Sequence, residues 1–285
     1  MNRTRIIVLM MMALISTMMI IPITTTATAQ TTTTTMTPLT PAVEPYINEE
    51  HRYQVLLPTN WIVDERTEFE GYNEELRERL LENLGIGGAP VGTFCPQEAG
   101  ELQTGGEMDC HIPQGSDLIS VGVLQYRFDL EHMQQFANLI EEAGRDITTN
   151  DLLIFELEEA KAPGAPVGSP ILHTNIQVIS ETDRTTSLVD AESGEVIAND
   201  VQVKEVQYTY RSIFAELNNL PEPDLIGTTM LVVYNNPEGN QNIDDVRAFK
   251  LVVGAQDANV QTTPPGTMLQ RPEVRTVFDS FELLE

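Results

Sequence analysis

Hydrophobic and polar positions settle into a foldable pattern at residue 46, in the stretch YINEEHRYQVLLPTNW. Two short strands are predicted there, over 46–48 and 53–57, separated by a polar turn at Glu49, Glu50 and His51. Pro58 stops the ladder, and Thr59 with Asn60 turns the chain so that Trp61 enters the core. If Trp61 anchors the core, its replacement by alanine costs about 3–5 kcal/mol. The period then changes. Phe69, Tyr72, Leu76, Leu80 and Leu84 recur at three and four, predicting a helix that Gly85 ends. Gly85, Gly87 and Gly88 read as a turn before a brief strand over 91–94, because they lack the full spacing of a phosphate loop and follow a helix. A central strand is expected over 117–129. Asp129 caps a helix whose stripe is Leu130, Met133, Phe136, Ala137 and Ile140, and a second helix follows Thr148 with Leu153, Ile154 and Leu157 inward.

Beyond the loop APGAPVGSP at 162–170 the pattern is dominated by strands, expected over 171–180, 185–189, 196–198, 201–214, 228–234 and 248–254. Short turns at 190–194 and 235–240 favour antiparallel pairing. Pro272 opens a terminal helix with Val274, Val277, Phe278 and Phe281 at helical spacing.

The N-terminus reads differently. Arg3 and Arg5 precede an apolar run over 6–23, and small residues around Ala27 and Ala29 suit a signal peptidase. A secretory signal over 1–29 is expected. The run is close to the length of about 18 residues that spans a bilayer, so retention as an N-terminal anchor stands beside cleavage. Either way the body lies outside the cytoplasm, secreted or held at the membrane through that segment alone. Residues 30–45 are rich in Thr and Pro and form a linker that cannot bury apolar surface, leaving 46–285 as the folded domain.

Charge narrows the function classes. The chain carries 43 acidic against 16 basic residues, a formal net charge of −27. Such a field repels nucleic-acid phosphates and anionic membranes, so nucleic acid is excluded as a partner. Cys95 and Cys110, an even pair in an exported chain, are expected to form a disulfide. The alternative is a metal site using both with His111, although no close ligand pair or fourth ligand accompanies them.

No catalytic motif occurs, and His51, His111, His132 and His173 are dispersed. The chain is therefore expected not to be an enzyme. A hydrolase with a site assembled from distant residues is the weaker alternative. No cofactor is expected, apart from calcium or manganese at two acidic loops. Asp190, Glu192 and Glu195 have spacing similar to an ion loop, but Glu195 stands where that loop needs glycine, and a β-turn using Asp and Gly for their backbone preferences is the preferred reading. Asp244 and Asp245, near Asn240 and Asn242, are the other candidates.

The opening pattern, carried by Tyr46, Asn48, Glu50, Tyr53, Val55, Pro58 and Trp61, resembles the start of PsbP-like domains. The closing VFDSFEL, with Ser280 and Phe281, resembles the family's final helix. The Thr-rich leader and the two cysteines look like those of exported PsbP-related proteins of ammonia-oxidising archaea. The resemblance implies an α+β fold: an antiparallel β-sheet flanked by helices on both faces, the Mog1/PsbP-like α/β/α sandwich. It also implies a non-enzymatic accessory or binding module acting on an extracytoplasmic or membrane-associated protein partner. A divalent-cation-binding protein is the alternative.

Overall fold

The computed structural model describes residues 43–65, 78, 86–102, 108–128, 146–159, 173–212, 225–236, 246–255 and 268–285. Its strands are β1 (Val43–Asn48), β2 (Tyr53–Pro58), β3 (Trp61–Asp64), β4 (Ile86–Pro96), β5 (Gly100–Leu102), β6 (Met108–Cys110), β7 (Ser120–Phe128), β8 (His173–Val189), β9 (Val196–Ser212), β10 (Leu225–Asn235), β11 (Val246–Gly254) and β12 (Glu282–Leu284). Two α-helices accompany them, α1 (Thr149–Glu159) and α2 (Pro272–Ser280). Ten strands form one sheet in the order β1-β2-β12-β8-β9-β10-β11-β7-β4-β3, and β5 pairs with β6 separately. Every pairing is antiparallel except that of β12 with β8.

This architecture overturns the expected α/β/α sandwich. Among the described residues the fold is mostly β, and its only α-helices of more than one residue have 11 and 9 residues, too little to build helical layers. The helices expected over 69–84 and 130–144 lie outside the described residues, apart from Glu78, as does the N-terminal leader.

Two strand corrections follow from cross-strand pairing. The four short strands expected between 171 and 214 are two continuous strands of 17 residues each. The polar run through Ser180 to Thr186 hides the period, but β9 pairs along it from Glu181 opposite Val206 to Thr186 opposite Val201, with bulges absorbing the misfit. Gly87 and Gly88 are not a turn; they pair with Arg127 and Tyr126 inside an 11-residue β4. Gly92, in the same strand, is required sterically, since a Cβ there would stand 2.8 Å from the Tyr53 Oη.

The sheet curls until its first strands meet its other end. Asn48 Nδ2 and Tyr53 Oη both donate to the Val91 carbonyl, and His51 Nδ1 lies 3.0 Å from Gln125 Oε1. Inside the curl, Tyr53, Phe249 and Phe281 pack ring on ring within 5.8 Å, joined by Met230, Val232 and the inward face of α2. The alternate residues of β10, Leu231 and Val233, belong to a second cluster with Leu152 and Phe155 of α1. Thus β10 is buried on both sides, which its run TTMLVVY foreshadows. Trp61 is not the core anchor that the sequence predicts: it is partly buried in the short strand β3 and packs against the margin of the first cluster.

Pro272 opens α2 as expected, but the helix stops at Ser280. The chain then extends as β12, which slots between β2 and β8. Ser280 makes the change possible, its hydroxyl accepting the Leu56 N–H at 2.7 Å while donating to Thr276 O.

Candidate binding surface

Most of the residues that carry the family resemblance assemble in or against the core, whereas Glu50 is exposed. Tyr46 packs edge-on against Phe94 and donates to Glu65, while Asn48 donates to the Tyr46 hydroxyl and accepts the His51 N–H. Burial, reinforced by Glu65, pushes the Tyr46 phenol up to about 12. Burial raises Tyr53 further still. Phenols held neutral and hydrogen-bonded in this way are packing groups and offer no general base at neutral pH. Pro58 ends β2 opposite Val43, Ser280 joins α2 to β2, and Phe281 stacks on Tyr53.

The first metal candidate is a hairpin turn. Asp190 Oδ1 accepts the backbone N–H of Glu192 and Ser193 and the Ser193 hydroxyl, and Gly194 adopts φ +70°. Those bonds, the Ser193 backbone bond first, hold the Asp190 carboxyl below its ordinary range. Glu192 and Glu195 are exposed on either side. Asp244 and Asp245 lie outside the described residues. Among the described residues no three His, Cys, Asp or Glu side chains gather closely enough to hold a metal. Cys95 and Cys110 form the expected disulfide, with Cys95 buried beside Ala99 and Ile112. The thiols are therefore not metal ligands alongside His111, and the bond is consistent with an oxidising, extracytoplasmic compartment. Among the described residues no helix is long and apolar enough to cross a membrane.

Two ionic clusters escaped the sequence reading. Buried Glu205 of β9 accepts from Arg184 Nε at 2.8 Å and from Arg275 Nη1 at 2.6 Å, tying α2 to the sheet, and Arg275 also pairs with Asp279. Burial opposes the charge of Arg275, but Glu205 and Asp279 outweigh it and raise its proton affinity. On the other side of β9, Lys204 Nζ lies 2.7 Å from Asp183 and 3.2 Å from Glu181. Burial again disfavours the charge, and the two carboxylates again prevail. The available signal was the pair Lys204 and Glu205 inside the apolar strand VQVKEVQY, where charges need partners. The partners sit 21 to 70 residues away. Arg184 and Arg275 balance Glu205 and Asp279, and Lys204 offsets one of the two charges of Asp183 and Glu181, so both clusters read as fasteners.

The β8–β9 ribbon presents the surface that these fasteners hold out. All of 177–183 is exposed, including alternate side chains that point to opposite faces. Val178 and Ile179 are 38% and 53% exposed, and near the hairpin end Val196 and Ile197 are 56% and 50% exposed. Strand β12 pairs with β8 only at Leu188 and Val189, so among the described residues no strand pairs with the outer edge of β8 over 173–187. The strands expected over 171–180 and 196–198 contain these apolar residues, but the sequence pattern breaks at 181–184 and gives no sign that the edge of β8 is open.

No family model matches the sequence, and no curated protein matches it. Among solved structures, the chain is similar to cyanobacterial PsbP (CyanoP) from Synechocystis sp. PCC 6803, with a TM-score of 0.35 and 12% identity over 85% of this chain and 92% of that one. It is also similar to the type VI secretion immunity protein TplEi of Pseudomonas aeruginosa. The apo form gives a TM-score of 0.28 with 7% identity over 85% and 97% of the two chains, and the form complexed with "L" peptide gives 0.25 with 7% identity over 85% and 98%. These scores place the chain in neither family, and nothing found extends the resemblance to archaeal exported proteins.

Proposed function

We propose that this protein is an extracytoplasmic, non-enzymatic binding module that docks on a protein partner through the β8–β9 ribbon. One observation carries the reading: a ribbon of two 17-residue strands exposes Val178, Ile179, Val196 and Ile197 on an otherwise strongly acidic molecule. Val178 and Ile179 on β8, and Val196 and Ile197 at the hairpin end of β9, are exposed apolar side chains on a sheet margin, the feature that recognition uses and that a free-standing sheet ordinarily avoids. The disulfide is consistent with an oxidising, extracytoplasmic compartment, and the export pattern of the N-terminus supports the same location. The phenols and ionic clusters are committed to packing, which supports binding over catalysis.

The test is cross-linking of the full chain in its host, followed by mass spectrometry of the complexes. A recurrent heteromeric complex is expected that Ile179→Asp abolishes and Ile47→Asp, on the separate strand β1, leaves intact. Absence of any complex, or a complex indifferent to Ile179, overturns the reading. Turnover in an esterase, glycosidase and peptidase screen would move the chain to the hydrolase class instead.

A further inference from the structure

The free margin of β8 specifies the chemistry of what it would receive. We infer that the outer edge of β8 at 177–183 accepts an extended segment of a basic partner, added as a further strand, with apolar residues against Val178 and Ile179 and Lys or Arg toward Glu181 and Asp183. The inference rests on the binding-module reading and adds the partner's chemistry to it.

Three observations support it. The edge is available: β9 occupies only the inner side of β8, and the outer side over 173–187 carries no strand among the described residues. Backbone N–H and C=O groups on such an edge are a template for a strand, and alternate side chains then supply specificity. The margin is apolar and acidic in succession, with exposed Val178 and Ile179 followed by Glu181 and Asp183, whose side chains are 42% and 75% exposed. Lys204 sits beneath both carboxylates and neutralises one charge of the two. Finally, the ribbon from His173 to Ser212 holds seven carboxylates against three basic residues, within a chain of net charge −27. That field steers a basic segment inward and opposes a second copy of the same chain.

The bulges at 174/177 and 178/180 interrupt the ladder to β9 and leave Ile179 as an extra residue on β8. An incoming strand therefore pairs in two short runs on either side of Ile179, which favours a defined register over indiscriminate stacking.

The probe is a short fluorescent peptide alternating valine with lysine, titrated with the full-length protein and read by anisotropy. Its comparators carry glutamate for lysine, or the same lysines with alternate backbone amides N-methylated. The lysine peptide is expected to bind about tenfold more tightly than either comparator, since the first lacks the charge match and the second lacks the strand-forming donors. The double variant Val178→Ala, Ile179→Ala is expected to weaken binding about tenfold while melting like the parent. Equal binding of the N-methylated peptide means adsorption by charge alone and overturns the inference. Indifference to the double variant, failure of the lysine peptide to bind, or self-association recorded by sedimentation and lost in that variant also overturns it. A host complex that persists in the cross-linking test while the lysine peptide fails leaves the binding module standing without this edge. Loss of both removes the module reading itself.

Discussion

Replacing Tyr53 and Trp61 separately by alanine distinguishes the centre of this fold from its margin. Tyr53 is fully buried, with Tyr46, Phe249 and Phe281 rings at centroid distances of 6.2, 5.8 and 5.5 Å. Truncating a buried aromatic side chain costs about 3–5 kcal/mol through lost transfer energy and the cavity left behind. Three ring contacts place Tyr53→Ala in the upper part of that range, at about 4–5 kcal/mol. Trp61 is only partly buried, in a four-residue strand beside the core, so less of its surface returns to water and solvent can fill the gap. Its truncation should cost about 1–2 kcal/mol. Against a total stability of about 5–15 kcal/mol the first change brings the protein near unfolding and the second does not. Urea unfolding should be followed by circular dichroism, because Trp61 is the chain's only tryptophan and its loss removes the fluorescence signal. Both variants should retain the parent's dependence on urea, so that midpoints compare directly. A Trp61→Ala variant as unstable as Tyr53→Ala would refute the placement of the core among Tyr53 of β2, Phe249 of β11 and Phe281 between α2 and β12.

Gly92→Ala is expected to cost about 1–3 kcal/mol, because the new methyl meets the Tyr53 hydroxyl, and adding Tyr53→Phe should recover part of that loss in the same urea assay. Glu205→Ala should cost about 2–4 kcal/mol, discounted from a fully buried pair because Arg184 and Arg275 are 25% and 30% exposed. The loss should combine non-additively with Arg275→Ala in a double-mutant cycle, and strict additivity would contradict the shared cluster. Tyr46 and Tyr210, each raised to about 12 by burial first, bind protons in the folded state that the unfolded chain releases near pH 10. Their contribution is therefore complete below pH 10 and falls as the pH rises toward about 12, so melting temperature should drop across that window while tyrosinate absorbance lags behind free tyrosine. Reduction of the disulfide, which links residues 15 apart, should lower stability by about 3 kcal/mol without changing the far-ultraviolet spectrum of the folded state.

What the sequence revealed was whatever local chemistry dictates. Asn60 in the turn after Pro58 adopts φ 74° and Gly194 adopts φ +70°, both positions where a turn residue is required and both legible as such. Strand β7, helix α1, the Pro272 start of α2 and the paired cysteines were equally readable from period, capping chemistry and count. What failed depended on neighbours distant in sequence. The residues Glu282 to Leu284 continue the apolar pattern of the preceding helix, and only the gap between β2 and β8 makes them a strand. Gly87 and Gly88 have turn chemistry that the ladder to β7 overrides. In the sequence the turn after Pro58 points Trp61 at the core, whereas the place belongs to a tyrosine whose hydroxyl finds the Val91 carbonyl and whose ring finds two phenylalanines. For the candidate surface, the strands expected over 171–180 and 196–198 hold the exposed apolar residues, but whether a strand's edge is left open depends on the rest of the sheet and leaves no periodic trace.

The same ionic groups that the sequence concealed hold that margin in place. An exposed strand held only by its ladder frays, and ordering it upon association would cost about 1–2 kcal/mol per residue in backbone entropy. Here Lys204 of β9 reaches both Glu181 and Asp183, and Arg184 is fixed by Glu205 and by the Phe278 carbonyl of α2. Glu181 and Asp183 are thereby tied on one face of the ribbon and Arg184 on the other, while Val178 and Ile179 stay open to solvent. Breaking the tie with Lys204→Met, which keeps the apolar stem and removes the charge, should increase amide hydrogen exchange across 177–183 before it alters the exchange of β10. Uniform loss of protection throughout the sheet would show that Lys204 supports the whole fold rather than its margin, and the ribbon would lose its claim to be a preorganised edge.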